Sequence, residues 1–231
     1  MSVRRVLAVS TILWISATVA AFVASPHGGN FDRAETTLTG SVPAADLDGL
    51  TLVVPGSRHS IEIQAAAPGT PDAVSVLVFV HGGSELGFLS KPFPPMDGVT
   101  LDPQKSGRQL VLGLNHADTN ALRTEWTVTV PARFSAHVTT DAGRVIISKL
   151  EGALAASVGA GSIRAEVSAA QHGPADLESV VGGVSVRLAG RDMHASAGPG
   201  PGAHWAFPAA GQGGPPISLH VTVGTASLWV R

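Results

Sequence analysis

Apolar side chains recur at every second position in several short runs of the chain, and a glycine stands shortly before each run. Gly143, for example, precedes Val145 and Ile147. The same alternation follows four further glycines, and its apolar positions are Leu154, Ala156, Val158, Ile163, Ala165, Val167, Val184, Val186, Leu188, Ala226, Leu228 and Val230. A period of two is typical of β-strands with one buried face. The pattern therefore predicts a repeat of short strands.

The spacing of the glycines indicates what joins these strands. Gly143, Gly152 and Gly161 are nine residues apart, which leaves room for a strand of about four to six residues and a tight corner. A helical crossover needs about a dozen residues or more, so helices between these strands are excluded. Because glycine adopts positive φ at no steric cost, we predict structural corners at Gly143, Gly152, Gly161, Gly182 and Gly224.

Shorter signals predict strands in the first half of the chain as well. The run Val74–Val80 is almost continuously apolar, and its length favours a strand buried on both faces. Further alternating runs are Leu50–Val54, Ile61–Ile63, Leu110–Leu114 and Trp126–Val130. The segment His194–Pro216 is rich in Gly and Pro and is predicted to be a loop insertion. No amphipathic helix of ten or more residues follows the N-terminal run, so the predicted fold class is all-β.

Composition narrows the functional classes. The chain has 231 residues, of which 44% are hydrophobic and 14% are charged, and these proportions favour one folded domain over a disordered chain. The net charge is −2 and the 15 Lys and Arg residues are scattered, so nucleic acid is excluded as a partner. The chain contains no Cys, which excludes disulfides, thiolate metal sites and a Cys nucleophile.

The N-terminus has the pattern of an export signal. Arg4 and Arg5 precede an uncharged apolar run from Val6 to Ala24, and this order is typical of a secretory signal. The run is also long enough to remain as a membrane anchor, so residues 1–24 are expected to be either a cleaved signal peptide or an anchor. Residues 25–48 are polar and are predicted to be a linker, followed by the β-domain at 49–231. We therefore expect the domain outside the cytoplasm.

The order of these features resembles the bacterial putative adhesin family, whose repeated-strand domain is also called toastrack. The pieces that carry the resemblance are Gly56–Ile63, Val128–Pro131, Gly143–Ile147, Gly161–Ala165, Gly182–Val186 and Gly224–Val230. Together they span roughly residues 47–231. The resemblance implies a single-stranded β-solenoid, with glycine corners, that is exported to the cell envelope, and it supplies no catalytic residues.

One motif points to an enzyme. The strand Val76–Val80 runs into His81-Gly82-Gly83, which is similar to the oxyanion loop of lipases and esterases, where backbone N–H groups stabilise the tetrahedral intermediate. The chain has no G-x-S-x-G nucleophile motif. A secreted ester hydrolase is therefore an alternative hypothesis, and a Gly-Gly turn after a strand explains the motif without catalysis.

The remaining candidates concern binding. His204, Trp205 and Phe207 lie among Gly and Pro residues, where aromatic side chains can contact a partner or a sugar or pack over the open end of the core. The nine histidines show no metal-ligand spacing, so they are expected to be surface or loop residues, and neither a metal nor a cofactor is predicted. The final segment, Ile217–Arg231, is expected to leave a strand edge open for self-association or for a cap formed by residues 194–216.

The sequence thus favours a non-catalytic exported protein of the cell envelope. It predicts an adhesin or a structural or stress-associated scaffold, with envelope proteins or cell-wall polymer as partners. A carbohydrate-binding module acting through residues 194–216 is the alternative from the binding class.

Overall fold

The computed structural model describes residues 34–56, 58–82, 98–116, 122–168, 173–188, 191–196, 202–207 and 214–231. Within these ranges the chain forms thirteen β-strands and no helix, which confirms the all-β prediction. The strands are β1 (Ala34–Pro43), β2 (Gly49–Val54), β3 (His59–Ala65), β4 (Ala73–Gly82), β5 (Thr100–Ser106), β6 (Gln109–Asn115), β7 (Leu122–Val130), β8 (Ser135–Ser148), β9 (Leu154–Val167), β10 (Ala175–Leu188), β11 (Arg191–Ser196), β12 (Ala203–Phe207) and β13 (Ile217–Val230).

Four long strands form the centre of the sheet. Strands β8, β9, β13 and β10 lie side by side in this order, parallel and in register. Each has 14 residues and runs through a glycine near its middle, so we distinguish a first arm before the glycine and a second arm after it. The prediction of separate strands of four to six residues is therefore wrong, because the backbone ladder continues on both sides of the glycine.

The inward-facing positions change phase at this glycine. In β9 the side chains of Leu154, Ala156 and Val158 are buried in the first arm, and Ile163, Ala165 and Val167 are buried in the second. Buried positions are thus two residues apart within an arm and five apart across the glycine. Successive side chains of a strand point to opposite faces, so an odd interval in a straight strand would place the two sets on opposite sides. Both sets are buried in one core, so the inward face changes at the glycine.

The same two-arm arrangement continues with shorter strands. Strand β2 pairs with the first arm of β8 and β3 pairs with its second arm. Strands β6 and β7 then pair with β2 and β3, again in parallel. Pro55 and Gly56 lie where the two arms meet, between β2 and β3.

Antiparallel strands flank this parallel centre. Strand β4 pairs with β7, β1 pairs with β4, and β5 pairs with β6. At the opposite side, β12 pairs with the first arm of β10 and β11 with its second arm. The thirteen strands form one open sheet.

Strand β13 lies between β9 and β10 rather than at a margin. It pairs with β9 on one side and with β10 on the other along both of its arms. The expectation that Ile217–Arg231 leaves an open edge is therefore wrong. Its glycine and apolar phase match those of β9 and β10, which explains why it fits between them.

Three further expectations need correction. Residues 34–43 of the predicted linker form β1, whose threonines suit an extended strand and whose Leu38 is buried in the core. Strand β4 is buried on one face only, since its valines are buried while Phe79 is 41% exposed. The segment 194–216 is not loop throughout, because it contains the end of β11 and all of β12.

Candidate binding surface

The glycines of the four central strands lie side by side. Gly143, Gly161, Gly224 and Gly182 are consecutive partners in the register, and their φ angles lie between 137° and 148°. A Cβ atom on Gly161, Gly224 or Gly182 would overlap the carbonyl oxygen of the neighbouring glycine. These positions therefore require glycine for two reasons, which are the backbone conformation and the close approach of adjacent strands. We call this row the glycine ladder.

Gly152 has a different role from the other four predicted corners. It precedes β9 instead of lying inside a strand, and positive φ is not what constrains it. A Cβ atom there would overlap the backbone of Phe134 and Ser135. The predicted set thus divides into four glycines of the ladder and one glycine at the start of a strand.

Beyond the glycine ladder, the outward positions of the second arms form a partly exposed surface. We call it the second-arm face, and it consists of Arg144, Ile146, Ser148, Ser162, Arg164, Glu166, Thr225, Ser227, Trp229, Gly183, Ser185 and Arg187. Adjacent strands of a sheet are about 4.8 Å apart, so the in-register pairing arranges these side chains in regular lateral rows.

An aromatic ring with two cations lies in the last rows of the second-arm face. The guanidinium carbon of Arg164 lies 4.2 Å from the centroid of the Trp229 ring, and that of Arg187 lies 4.5 Å from it. Arg164 comes from β9 and Arg187 from β10, the two strands that flank β13. At partly exposed sites each such cation–π contact is worth about 0.5–1 kcal/mol.

Charged residues of both signs lie on and beside the second-arm face. It contains three arginines and one glutamate, and that glutamate is already paired, since Arg231 Nη2 lies 2.9 Å from Glu166 Oε2. Among the described residues, no carboxylate pairs with Arg164. In the register, Asp192 of β11 lies opposite Arg187 and Glu62 of β3 lies opposite Ile146, so acidic residues adjoin this face on both sides.

The predicted contact residues His204, Trp205 and Phe207 lie in β12. His204 is exposed and its Nε2 lies 2.7 Å from Asp176 Oδ1 of β10. Trp205 is partly buried and packs against the core, as one of the two sequence alternatives proposed. The side chain of Phe207 lies outside the described residues.

A second histidine–carboxylate pair lies next to this one. His220 Nδ1 of β13 is 3.0 Å from Glu178 Oε2 of β10. Both pairs join neighbouring strands on the outward side of the first arms and are exposed to solvent. Near this side, a shallow depression of about 410 Å³ is lined by Thr51, His137, Ala155 and Ser218 among others.

The motif His81-Gly82-Gly83 starts inside a strand. His81 and Gly82 belong to β4 and pair with β1 and β7, whereas Gly83 lies outside the described residues. In a strand paired on both sides, backbone N–H groups point to the neighbouring strands, so His81 does not offer an oxyanion loop. Its imidazole lies 3.3 Å from Glu35 and 4.0 Å from Glu125.

His59 is a buried histidine that the sequence reasoning placed at the surface. Its Nδ1 lies 2.8 Å from Thr124 Oγ1 and its Nε2 lies 3.0 Å from the carbonyl oxygen of Pro55. The indole N–H of Trp126 donates to the same threonine oxygen at 2.8 Å. Burial lowers the pKa of His59 from 6.5, against smaller raising effects that include the Pro55 carbonyl and Asp141. A neutral imidazole that donates from Nε2 and accepts at Nδ1 satisfies all of these contacts.

The alternating pattern of β3 could have predicted that His59 is buried. It precedes Ile61 and Ile63 at the same two-residue interval, and all three side chains are buried. Thr124, which is fully buried, has the same relation to Trp126 and Val128. Since both polar groups lie below the surface, they serve the packing of β3 against β7 and are closed to a substrate.

The part of the chain that the structure describes contains neither a metal-binding cluster nor a membrane-spanning helix. Among those residues, no group of three or more His, Asp or Glu side chains is arranged to hold a metal ion. The same residues include no helix that is long and apolar enough to cross a membrane. The apolar run at residues 6–24 lies outside the described residues.

Comparison with known proteins gives two structural neighbours. A putative cell adhesion protein from Clostridium sporogenes matches with a TM-score of 0.46 and 9% identity, over 85% of this chain and 100% of that chain. A putative adhesin from Bacteroides fragilis matches with a TM-score of 0.23 and 8% identity, over 84% of this chain and 97% of that chain. No protein-family profile and no curated protein matches the chain. The second neighbour carries the adhesin name of the family that the sequence resembles.

Proposed function

We propose that this chain is an exported, non-catalytic protein of the bacterial cell envelope that acts as an adhesive scaffold. The observation that carries the proposal is the second-arm face, where in-register strands present a fixed row of partly exposed arginine, serine and tryptophan side chains. Binding constellations are most accurate when they are built on strands or helices of a rigid framework. A sheet with continuous pairing across its central strands meets that requirement.

The repeated geometry supports a solenoid-like interpretation of this scaffold. The levels β6/β7, β2/β3, β8, β9, β13 and β10 repeat the same two arms around one core. In repeat proteins of this kind each level contacts mainly its neighbours, and the stack offers an extended surface for partners. We infer that the domain is a β-solenoid whose antiparallel flanking strands protect its two ends.

The chemistry of the described polar groups favours binding over catalysis. Among the described residues, the hydroxyl group of Thr124 pairs with His59, and this pair is buried beneath the surface. A general base must reach the proton that it abstracts from a bound substrate, which this position does not permit. The ester hydrolase alternative is not favoured, because His81 and Gly82 are strand residues.

Export is supported by the arginine pair and apolar run at the N-terminus, and it can be tested directly. The full chain with a C-terminal epitope tag should be found in the envelope or the medium, and the tag should be accessible to protease added outside the cytoplasmic membrane. A variant lacking residues 6–24 should remain in the cytoplasm. Recovery of the full-length chain from the cytoplasm would overturn the proposal.

Adhesion itself requires a second measurement on the exported protein. Cells that display the full chain should adhere to envelope material from the same species more strongly than cells displaying an Arg164→Gln variant. Equal adhesion by both, or by cells without the protein, would contradict a role for the second-arm face.

A further inference from the structure

Strand β1 is the outermost strand at one side of the sheet. Among the strands that the structure describes, it pairs with β4 and has no second neighbour. In an antiparallel pair, every second residue directs its backbone N–H and C=O groups away from the partner. The outer side of β1 therefore presents a row of donors and acceptors that matches another strand.

The other described edge strands carry features that prevent such pairing. Strand β5 contains Pro103, which lacks an N–H group, and Lys105. Strand β11 has six residues and begins with Arg191 and Asp192, and β12 has only five residues. Proline, charged side chains and short length are ways in which proteins block strand edges. Strand β1 has ten residues, no Lys or Arg, and proline only at its last position, so its edge is the least protected of the four.

The sequence of β1 suits pairing with a second copy of itself. A twofold axis between two copies brings β1 antiparallel to its own copy. Directly opposite residues in an antiparallel pair direct their hydrogen bonds in the same sense, so the axis passes beside a residue and not between two residues. With the axis at Leu38, residues 34–42 of the two copies pair, and Pro43 stays outside the ladder.

This register also matches the outward side chains. Thr37 lies opposite Thr39 of the second copy on each side of the axis, and threonine pairs across strands are favourable. Glu35 lies opposite Ser41 of the second copy, so the one charged side chain of β1 meets no like charge. Thr37 is partly exposed and Thr39 is exposed, whereas Leu38 is buried in its own core. The pairing thus uses groups that the single molecule leaves at its surface.

We propose that two copies of this chain associate through β1, antiparallel about a twofold axis at Leu38, so that their sheets become continuous. The inference goes beyond the proposed function, because it requires neither export nor adhesion. Stable obligate dimers typically bury about 2,000 Å² or more, and contact along a single strand edge is smaller. The association is therefore reversible and depends on protein concentration.

Sedimentation and hydrogen exchange test the dimer. Protein recovered from cells expressing the full chain is studied by sedimentation velocity over a wide range of concentration, and we expect reversible conversion of monomer to dimer. Amide hydrogen–deuterium exchange is measured on the same samples. Exchange in peptides that cover residues 34–43 should slow as the dimer forms. Exchange in β9, which has a strand on each side, should not change.

Charge variants test the register. The double variant Thr37→Lys, Thr39→Lys places like charges opposite each other at two positions across the axis, so it should weaken the dimer about tenfold or more. The double variant Thr37→Glu, Thr39→Glu should be weakened in the same way. A mixture of the two variants should recover dimerisation, because each Lys then faces a Glu. As a matched control, Thr127→Lys with Thr129→Lys adds the same charge to β7, which has a strand on each side, and should leave dimerisation unchanged.

Several outcomes would overturn the inference. They are a wild-type protein that stays monomeric, a dimer that the lysine pair in β1 does not weaken, an equal loss with the lysine pair in β7, or a mixture that does not recover dimerisation. Slow exchange of residues 34–43 at every concentration, in a protein that stays monomeric, would show that another part of the same chain occupies the edge. If a β1 variant does not fold, the sedimentation and exchange of the wild type decide the question alone.

Discussion

Substitution of Gly161 by alanine tests the glycine ladder most directly. Gly161 has a φ of 143°, a conformation that residues with a Cβ atom rarely adopt. The added Cβ would also overlap the carbonyl oxygen of Gly143 in the adjacent strand. The variant must therefore strain its own backbone and separate β8 from β9 locally.

The two effects can be estimated separately. A non-glycine residue held in a sparsely populated backbone region costs about 1–3 kcal/mol. Forcing an extra methyl group into a closely packed site typically costs about 1–3 kcal/mol more. We therefore expect Gly161→Ala to lower the free energy of unfolding by about 2–6 kcal/mol, a large share of the roughly 5–15 kcal/mol typical of a domain.

Two other glycines supply matched controls. Gly107 has a φ of 61°, and a Cβ atom added there would meet no atom within 4 Å, so Gly107→Ala tests the conformational cost without overlap. Gly113 has neither a positive φ nor a close neighbour, so Gly113→Ala should be close to neutral. The expected order of destabilisation is Gly161→Ala, then Gly107→Ala, then Gly113→Ala.

Equilibrium urea unfolding of the three variants, followed by circular dichroism and tryptophan fluorescence, measures these differences. Trp126 is buried and should report on loss of the core. If Gly161→Ala were within about 0.5 kcal/mol of Gly107→Ala, the close approach of the strands would not be what demands glycine in the ladder.

Three further predictions concern the core and its surroundings. The folded pKa of His59 lies below 6.5, so the stability that the neutral imidazole contributes is complete above pH 6.5 and is lost as pH falls through the folded pKa. Between about pH 7.5 and about pH 5, the urea midpoint should therefore fall less for His59→Gln than for the wild type. Leu219→Ala should cost about 2–5 kcal/mol because the side chain is buried, whereas His220→Ala on the outward face should cost under about 1 kcal/mol in the same assay. A double-mutant cycle of Arg133→Ala and Asp72→Ala should give a coupling of at most about 1 kcal/mol, since the 2.8 Å pair is largely exposed, and a much larger value would contradict this view of surface ion pairs.

The sequence predicted the strands whose inward positions alternate with polar ones, because burial on one face imposes that pattern. It did not predict β1 and β5, because these strands lack that alternation of large apolar and polar side chains. Apart from Leu38, strand β1 has few large apolar side chains, and β5 is largely exposed and contains Pro103. Strands of this kind at the side of a sheet are held by backbone pairing with one neighbour, which leaves little trace in side-chain periodicity.

Only part of the candidate site could be predicted from the sequence. Counted from the preceding glycine, Trp229, Arg187 and Glu166 all occupy the fifth position after it, so alignment on the glycines would have placed them in one row. The lateral order of the strands is not encoded in this way. Nothing local in the sequence states that β13 separates β9 from β10, and the meeting of Arg164 with Trp229 depends on that order.

The position of β13 also has a consequence for the folding of the chain. Until residues 217–230 join the fold, β9 and β10 lack the neighbour that each has in the finished protein, and both present an unpaired edge. Their glycines and apolar positions share one phase, so they could pair with each other and close the gap that β13 must enter. Completion of the sheet then requires that premature pairing to reopen, and such species are prone to associate with other chains. Slow refolding with a concentration-dependent loss of yield, relieved when residues 217–230 are supplied before β9 and β10 in a circularly permuted chain, would reveal this order of assembly.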